Sequence, residues 1–319
     1  MRLENVLALT HGSLMSQPHI SLFNDIVIEA SRVKRGSLFV ALKPHDISQA
    51  IEKGAYGIVY ERDLEFDDKE IAWIKVDDSY DALKRLVRFI LIDKELVAFT
   101  CKPIILQVAK QFTTSNEFIV LEGSLSDNFS KLLSATPKST LLFVESQIKS
   151  DLFTNASRLS DSSVEDKIRL LEHTLFEMAF IYRDTYYERQ MISPLFIPYM
   201  EQLLALFHKQ NISYKIKPFV NIPHFHARFV NSALHVRDFG TTNRVIIFEN
   251  DATLIEEEIA FISQNAPWAH SFSLSCDDLS EKEVIKILRA KHFNFALLSG
   301  VEATFLDNES NYLRQQTLF

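Results

Sequence analysis

Between Ser31 and Lys43 the chain carries Arg32, Lys34, Arg35 and Lys43 with no acid among them. A turn ahead of a strand can aim such charges at a diphosphate or a carboxylate, and arginine adds a planar donor fork suited to both. A solvated basic turn is the plainer reading of the same residues. Histidine forms a second set: His224 and His226 stand two apart, with His235 further on. On a strand the first two would share a face, as a zinc-ligand or acid/base pair requires. No Cys, Asp or Glu lies in the stretch Pro223–Phe229 to complete a metal set, so surface or half-buried imidazoles fit as well. Tyr182, Tyr186 and Tyr187 with Arg183 and Arg189 read as an aromatic and basic helical stretch, explained by packing and helix-face ion pairs at least as well as by a binding platform. The run Glu256-Glu257-Glu258 falls near a helix start, where carboxylates suit the macrodipole. Ser299-Gly300 is the nearest approach to a nucleophile elbow and lacks its pattern.

The backbone that must hold these groups is poor in glycine: 7 of 319 residues, against a usual share of about 7 %. No glycine-rich phosphate loop can be written anywhere in it. Lys plus Arg is 34 and Asp plus Glu is 42, a net charge of −8, which repels a phosphate backbone and argues against nucleic acid. Cys101 and Cys276 are the only cysteines and lie far apart, so neither a disulfide framework nor a cysteine zinc site is supported, and a reducing cytoplasm is expected. Met1-Arg2-Leu3-Glu4 places an acid before any apolar run, unlike an export signal. Leu86 to Phe99 is broken by Arg88, Asp93, Lys94 and Glu95, so no membrane insertion is expected.

Apolar spacing predicts a helix near Leu3–Leu9, strands at Ile26–Ile28 and Leu38–Leu42, and a helix over Ile47–Lys53 stopped by Gly54. Strands Gly57–Tyr60 and Ala72–Val76 follow, then a helix to about Ile92 capped by Asp78 or Ser79. Strands at Leu96–Phe99, Phe118–Leu121 and Leu141–Val144 alternate with helices at Ile104–Phe112 and Asp127–Ala135. That alternation implies α/β layers around mostly parallel sheets. Residues 164–190 and 194–209 read as helices joined at Pro194 and Pro198. Beyond them come strand Val245–Phe248, helix Leu254–Ser263, strand Phe272–Leu274, helix Glu281–Ala290 and strand Phe295–Leu298.

The segment Ser31-Arg32-Val33-Lys34-Arg35-Gly36-Ser37-Leu38-Phe39-Val40-Ala41-Leu42 resembles the N-terminal domain of the Mur ligases, ATP-dependent enzymes that extend UDP-N-acetylmuramoyl precursors of bacterial peptidoglycan. The family pattern is D-S-R-x-V-x-x-G-x-L-F-V-A-L, then G-x-x-x-D-G-H-D-F and a helix ending A-x-x-x-G-A. His45-Asp46, Ala50 and Gly54-Ala55 follow in that order. The resemblance implies that Ser31 and Arg32 lie where the UDP part docks, and makes Ser31, Arg32, Lys43 and His45 the candidate substrate-binding residues. Two departures stand out. Ala30 replaces the family aspartate, and the loop between Lys43 and His45 is cut to Pro44, which implies altered or lost nucleotide-sugar binding.

A second resemblance links Val97-Ala98-Phe99-Thr100 to the strand before the family's ATP loop, V-A-V-T-G-T-N-G-K-T-T, but Cys101-Lys102-Pro103-Ile104 follows instead. Cys101 stands at the first glycine, Pro103 removes an N–H and Ile104 has no hydroxyl, so no phosphate cradle is available. Lys102 reads as an ordinary surface lysine. Glu122 in Val120-Leu121-Glu122-Gly123 matches the family's magnesium glutamate, but one acid alone makes a poor Mg²⁺ site. The family lysine that carries a carbamate, placed on the next helix, aligns near Glu172, and Thr154–Leu159 lacks the family histidine.

The expected fold is α/β in three parts: a Mur-type N-terminal domain at 1–93, a shortened central domain without its P-loop at 94–210, and a C-terminal α/β domain at 211–319. No catalytic residue, cofactor or metal is expected, because phosphoryl transfer needs cradle, lysine and metal together. The expected function is non-catalytic and cytoplasmic: binding a UDP-N-acetylmuramoyl peptide or cell-wall synthesis proteins. An active amide ligase with an unorthodox nucleotide site and a pure interaction scaffold are the alternatives.

Overall fold

Short runs of consecutive apolar residues make the strands, and several are buried along their whole length. The computed structural model describes residues 1–65, 68–160, 167–220 and 222–307. The first part of the chain forms α1 (Leu3–Thr10), β1 (Ser13–Leu14), β2 (Asp25–Val27), β3 (Ser37–Val40), α2 (Ile47–Glu52), β4 (Gly57–Tyr60), β5 (Ala72–Lys75) and α3 (Ser79–Ile92). Next come β6 (Val97–Thr100), α4 (Pro103–Ala109), β7 (Phe112–Thr114), β8 (Phe118–Leu121), α5 (Leu125–Ser134), β9 (Thr140–Phe143) and β10 (Ala156–Arg158). The remainder forms β11 (Arg169–His173), β12 (Met178–Tyr182), β13 (Thr185–Gln190), α6 (Ile197–Lys209), β14 (Tyr214–Ile216), β15 (His226–Phe229), β16 (Val245–Phe248), α7 (Ala252–Asn265), β17 (Ser271–Ser275), α8 (Glu281–Ala290) and β18 (Phe295–Ser299). These elements make two compact units: 1–101 with 116–158, and 102–115 with the described residues from 159 onward.

In the first unit, one sheet has the order β1-β5-β4-β3-β2, parallel except for β1. Every residue of β3 and β4 is buried, which demands cover on both faces. Val6 of α1 and Leu83, Leu86 and Val87 of α3 pack with Val40, Val59 and Ile74 on one face. Ala50 and Ala55 pack with Phe39, Ile58 and Trp73 on the other. Gly57 opens β4 because a Cβ there would come within 2.6 Å of the Phe23 ring. Asp78 caps α3 by accepting from the N–H groups of Tyr80 and Asp81.

The second sheet of this unit, β10-β6-β9-β8, is parallel throughout. Its helix α5 starts with a capping box between Ser124 and Asp127. One hydrophobic core, from Val6 to Phe153, runs continuously through both sheets. Lys94, between α3 and β6, closes the other end of α5. Its ammonium donates to the carbonyls of Leu132, Leu133 and Ala135 at 3.3, 2.6 and 2.9 Å. Leu132 accepts the Ala135 N–H at 3.3 Å as well, and carbonyls at a helix C-terminus carry the negative end of the dipole, so a cation suits them. Burial lowers the Lys94 pKa.

In the second unit α4 packs on α6, β7 pairs with β14, and β11-β12-β13 form an antiparallel meander. A further sheet, β15-β16-β18-β17, is parallel apart from β15. Val284, Ile285 and Leu288 of α8 bury against Phe293, Ala296 and Leu298.

The meander corrects the expected helix over 164–190. Residues 164–166 lie outside the described residues, and 169–190 are three strands. Leu170, Leu171, Leu175, Met178 and Ile181 fit a helical period, but Met178-Ala-Phe-Ile-Tyr182 is an unbroken apolar run rich in strand formers, followed by the two-residue turn Arg183-Asp184. The tyrosines and arginines at 182–189 therefore lie on a hairpin. The helix expected over Ile104–Phe112 spans Pro103–Ala109, and Phe112 begins β7. Pro194 starts a 3-10 turn and Pro198 occupies the first turn of α6, where its missing N–H costs nothing.

Replacing Lys94 by Met keeps the apolar stem but removes the cation from three carbonyls. The expected loss is about 1–3 kcal/mol, read as a lower urea midpoint; an unchanged midpoint would contradict the capping role.

Candidate functional site

The 3-10 turn Ala30–Arg32 connects β2 to β3, and buried Ala30 and Val33 pin it to the sheet. Ser31 and Arg32 between them are exposed. Arg32 Nε pairs with Glu29 at 3.1 Å, and Arg32 Nη1 donates to Ser130 Oγ of α5 at 2.9 Å. Its side chain is still 60 % exposed, so the guanidinium remains open to an incoming anion. The Ser31 carbonyl accepts from Lys53 Nζ at 2.5 Å, and Arg35 Nε donates to the Tyr56 hydroxyl at 3.1 Å. Lys43 and His45 stand in the connection from β3 to α2, both exposed, with His45 Nε2 3.4 Å from Asp46. Among the described residues no hydrogen bond or ion pair joins Lys43 or His45 to Ser31 or Arg32, so the four residues fall into two pairs on separate connections.

At the end of β6 the turn into α4 is only Cys101 and Lys102. The Cys101 N–H donates to the Phe143 carbonyl at 2.9 Å and prolongs the ladder, while burial pushes its thiol up to about 12. Lys102 is not the surface lysine expected from the sequence. Its ammonium lies 3.0 Å from Glu257 Oε1 and 3.1 Å from the Tyr199 hydroxyl, and 5.1 Å above the Tyr199 ring. Tyr199 in turn donates to the other Glu257 oxygen. Burial alone would lower the Lys102 pKa, but Tyr199 and Glu257 outweigh it and the net shift is upward. Burial likewise opposes ionisation of Glu257, and Tyr199 and Lys102 outweigh it.

Glu122 follows β8, exposed, with its carbonyl accepting from Asn128 Nδ2 at 2.8 Å. Glu172 lies on β11 beside a bulge, not on a helix. Among the described residues no three His, Cys, Asp or Glu side chains gather as a metal site.

A carboxyl cluster sits in the second unit, and the sequence did not reveal it. Glu249 follows β16 and is 1 % exposed. It accepts from His224 Nδ1 at 3.0 and 3.2 Å, from the Phe225 N–H at 3.1 Å and from the Asp251 N–H at 2.7 Å. Phe225 holds a left-handed φ of 48°, which turns its N–H into this group. Burial pushes Glu249 up, but the His224, Glu258 and Asp251 contacts hold it below the usual carboxylate range. Glu258 of α7 is fully buried, and no donor reaches either of its oxygens. Burial first, and then the neighbouring Glu249 carboxylate, push it up to about 10, so Glu258 is held as a neutral acid. His224 is thus a partner of Glu249, and it does not form a zinc pair with His226. His226 begins β15 and has its pKa lowered by burial and by Arg228. Cys101 and Cys276 are both free thiols.

The chain has the fold of the Mur ligases. It superposes on the MurF ligase of Thermotoga maritima, solved in complex with ADP, with a TM-score of 0.52 and 12 % identity over 90 % of this chain and 96 % of that one. On the UDP-N-acetylmuramoylalanyl-D-glutamyl-2,6-diaminopimelate–D-alanyl-D-alanyl ligase of Acinetobacter baumannii the TM-score is 0.51, with 11 % identity over 98 % of both chains. No protein-family model and no curated protein sequence matches it.

Folding holds the Glu258 proton up to about pH 10, whereas the unfolded chain releases it near 4.5. Between those values the folded state binds the extra proton, so stability is full on the acidic side and falls as pH rises, by up to about 1.4 kcal/mol per pH unit. Glu258→Gln stays neutral at every pH and nearly keeps the side chain's volume. Its melting temperature is expected to fall less than that of the native chain from pH 6 to pH 9; equal slopes would show that Glu258 is not the proton carrier.

Proposed function

We propose that this chain is a non-catalytic relative in fold of the Mur ligases that acts in the cytoplasm by binding a UDP-N-acetylmuramoyl precursor of the cell wall. The three-part division at 1–93, 94–210 and 211–319 belongs to the same reading. The observation that carries the loss of catalysis is the turn from β6 to α4. It has two residues, one of them a buried cysteine, and its lysine is already neutralised by Glu257. Transfer of a γ-phosphoryl group depends on backbone donors, lysine and metal placed together, and here the lysine's charge is committed within the protein.

The precursor reading is supported by Arg32, an exposed guanidinium on a turn fixed from below by Ala30 and Val33. Charge-assisted contacts from such a fork suit the diphosphate of a nucleotide sugar. Ser31 presents its hydroxyl on the same turn, and Lys43 and His45 add positive or titratable groups on the next connection. A second reading draws on the Glu29 and Ser130 contacts of the same arginine: as a strut between the β2–β3 connection and α5, Arg32 would serve a scaffold that meets cell-wall synthesis proteins.

Incubated with Mg-ATP, a muramoyl precursor and amino acids, the purified protein should release no phosphate above background; stoichiometric turnover would overturn the non-catalytic reading. In calorimetry UDP-N-acetylmuramoyl peptide should bind the native chain, and Arg32→Ala should weaken it by about 1.5–3 kcal/mol. Absence of heat from the native chain would favour the scaffold.

A further inference from the structure

We propose that Met191, His224 and His226 form a binding site for a soft monovalent metal ion, copper(I). The site belongs to the second unit and does not depend on the precursor reading. The three residues line one cavity of about 50 Å³, with Phe176, Phe196 and Phe239 among its walls. One water needs about 10–15 Å³ of such space, so an ion with a water or two fits and a larger organic substrate does not.

The carboxylate behind His224 sets what its imidazole can offer. Glu249 accepts from Nδ1 at 3.0 and 3.2 Å, and among the described residues no hydrogen bond reaches Nε2. A carboxylate on the far nitrogen fixes the tautomer and makes the ring a better ligand, as behind metal-bound histidines generally. Burial, and then Arg228, lower the pKa of His226, which favours a neutral ring with one nitrogen lone pair to give. Arg228 itself pairs with Asp307. Glu249 is 1 % exposed, and its other donors are the backbone N–H groups of Phe225 and Asp251. Among the described residues its one ion-pair partner is His224, with no lysine or arginine. A buried charge calls for a counter-charge, and one positive ion on His224 would supply it.

Met191 decides which metal. A thioether selects copper(I), and imidazole serves that ion too, whereas magnesium and calcium prefer oxygen ligands. Among the described residues no third His, Cys, Asp or Glu joins the two imidazoles, so the donor set that zinc favours is not assembled. The aromatic walls support one another: Phe176 meets Phe225 and Phe239 at 5.4 and 6.4 Å, and Phe225 meets Phe196 at 6.5 Å. An apolar shell of this kind limits solvent access to a bound ion and lowers the local dielectric, which favours the lower of copper's two charges.

Methyl-labelled methionine gives one signal for each of the 5 methionines, and Met191→Leu identifies its own. Silver(I), a soft ion that keeps its oxidation state, should shift the Met191 methyl of the native chain and saturate at one equivalent. Cys101 and Cys276 are rival soft donors, and the shift should persist in Cys101→Ala/Cys276→Ala. In oxygen-free competition with bicinchoninate, copper(I) affinity should fall about 10–100-fold in Glu249→Gln and stay native in Glu256→Gln, an exposed position of α7. Met191→Leu, which nearly conserves volume, should lose the tight copper(I) binding. A Met191 methyl unmoved by silver in the native chain, or native copper(I) affinity in Met191→Leu, would overturn the proposal.

Discussion

Two residues join the end of β6 to the start of α4, and that shortness fixes which backbone N–H groups the turn can present. A loop that wraps phosphates needs several consecutive N–H groups facing inward, and small residues to let them converge. Here one N–H, that of Cys101, already completes the sheet, and Pro103 has none to give. The lysine that follows is drawn to Tyr199 and Glu257, which lie on α6 and α7. Its charge fastens three helices of one unit to one another.

The same economy recurs in the other unit, where cations close gaps in the architecture. Lys94 ends α5, and Arg32 ties a surface turn to the middle of that helix through Ser130. Arg32 differs from Lys94 in exposure. Lys94 has three carbonyls and partial burial, whereas Arg32 keeps much of its guanidinium in solvent and so remains available for recognition.

Most strands were legible because burial on both faces leaves a plain mark: Leu38-Phe39-Val40 and Val245–Phe248 are apolar without interruption. Helix caps at Asp78 and the stop at Gly54, with φ of 83°, were legible because their chemistry is local. The meander was not, since Leu170 to Ile181 satisfies a helical period by accident and only pairing with Thr185–Gln190 decides the matter. The two basic connections of the candidate precursor site were visible as charge density, but how Glu29 and Ser130 engage Arg32 was not. The triplet Glu256-Glu257-Glu258 shows the limit most plainly. Neighbours on a helix point about 100° apart, so Glu257 meets a lysine while Glu258 is buried against Glu249. Nothing in three identical letters separates those fates, because each is set by residues far away in sequence.

Scarcity of glycine has a consequence for the denatured chain. Among the described residues, left-handed backbone is held not only by glycines but also by His11, Glu95, Lys138, Arg183, Arg189, Asn211, Phe225 and Leu234. Side chains at such positions are uncomfortable once folded, yet every one of them narrows the freedom of the random coil relative to glycine. The molecule therefore starts its collapse from a stiffer ensemble, and part of the discomfort at its turns is returned as conformational entropy that never has to be surrendered.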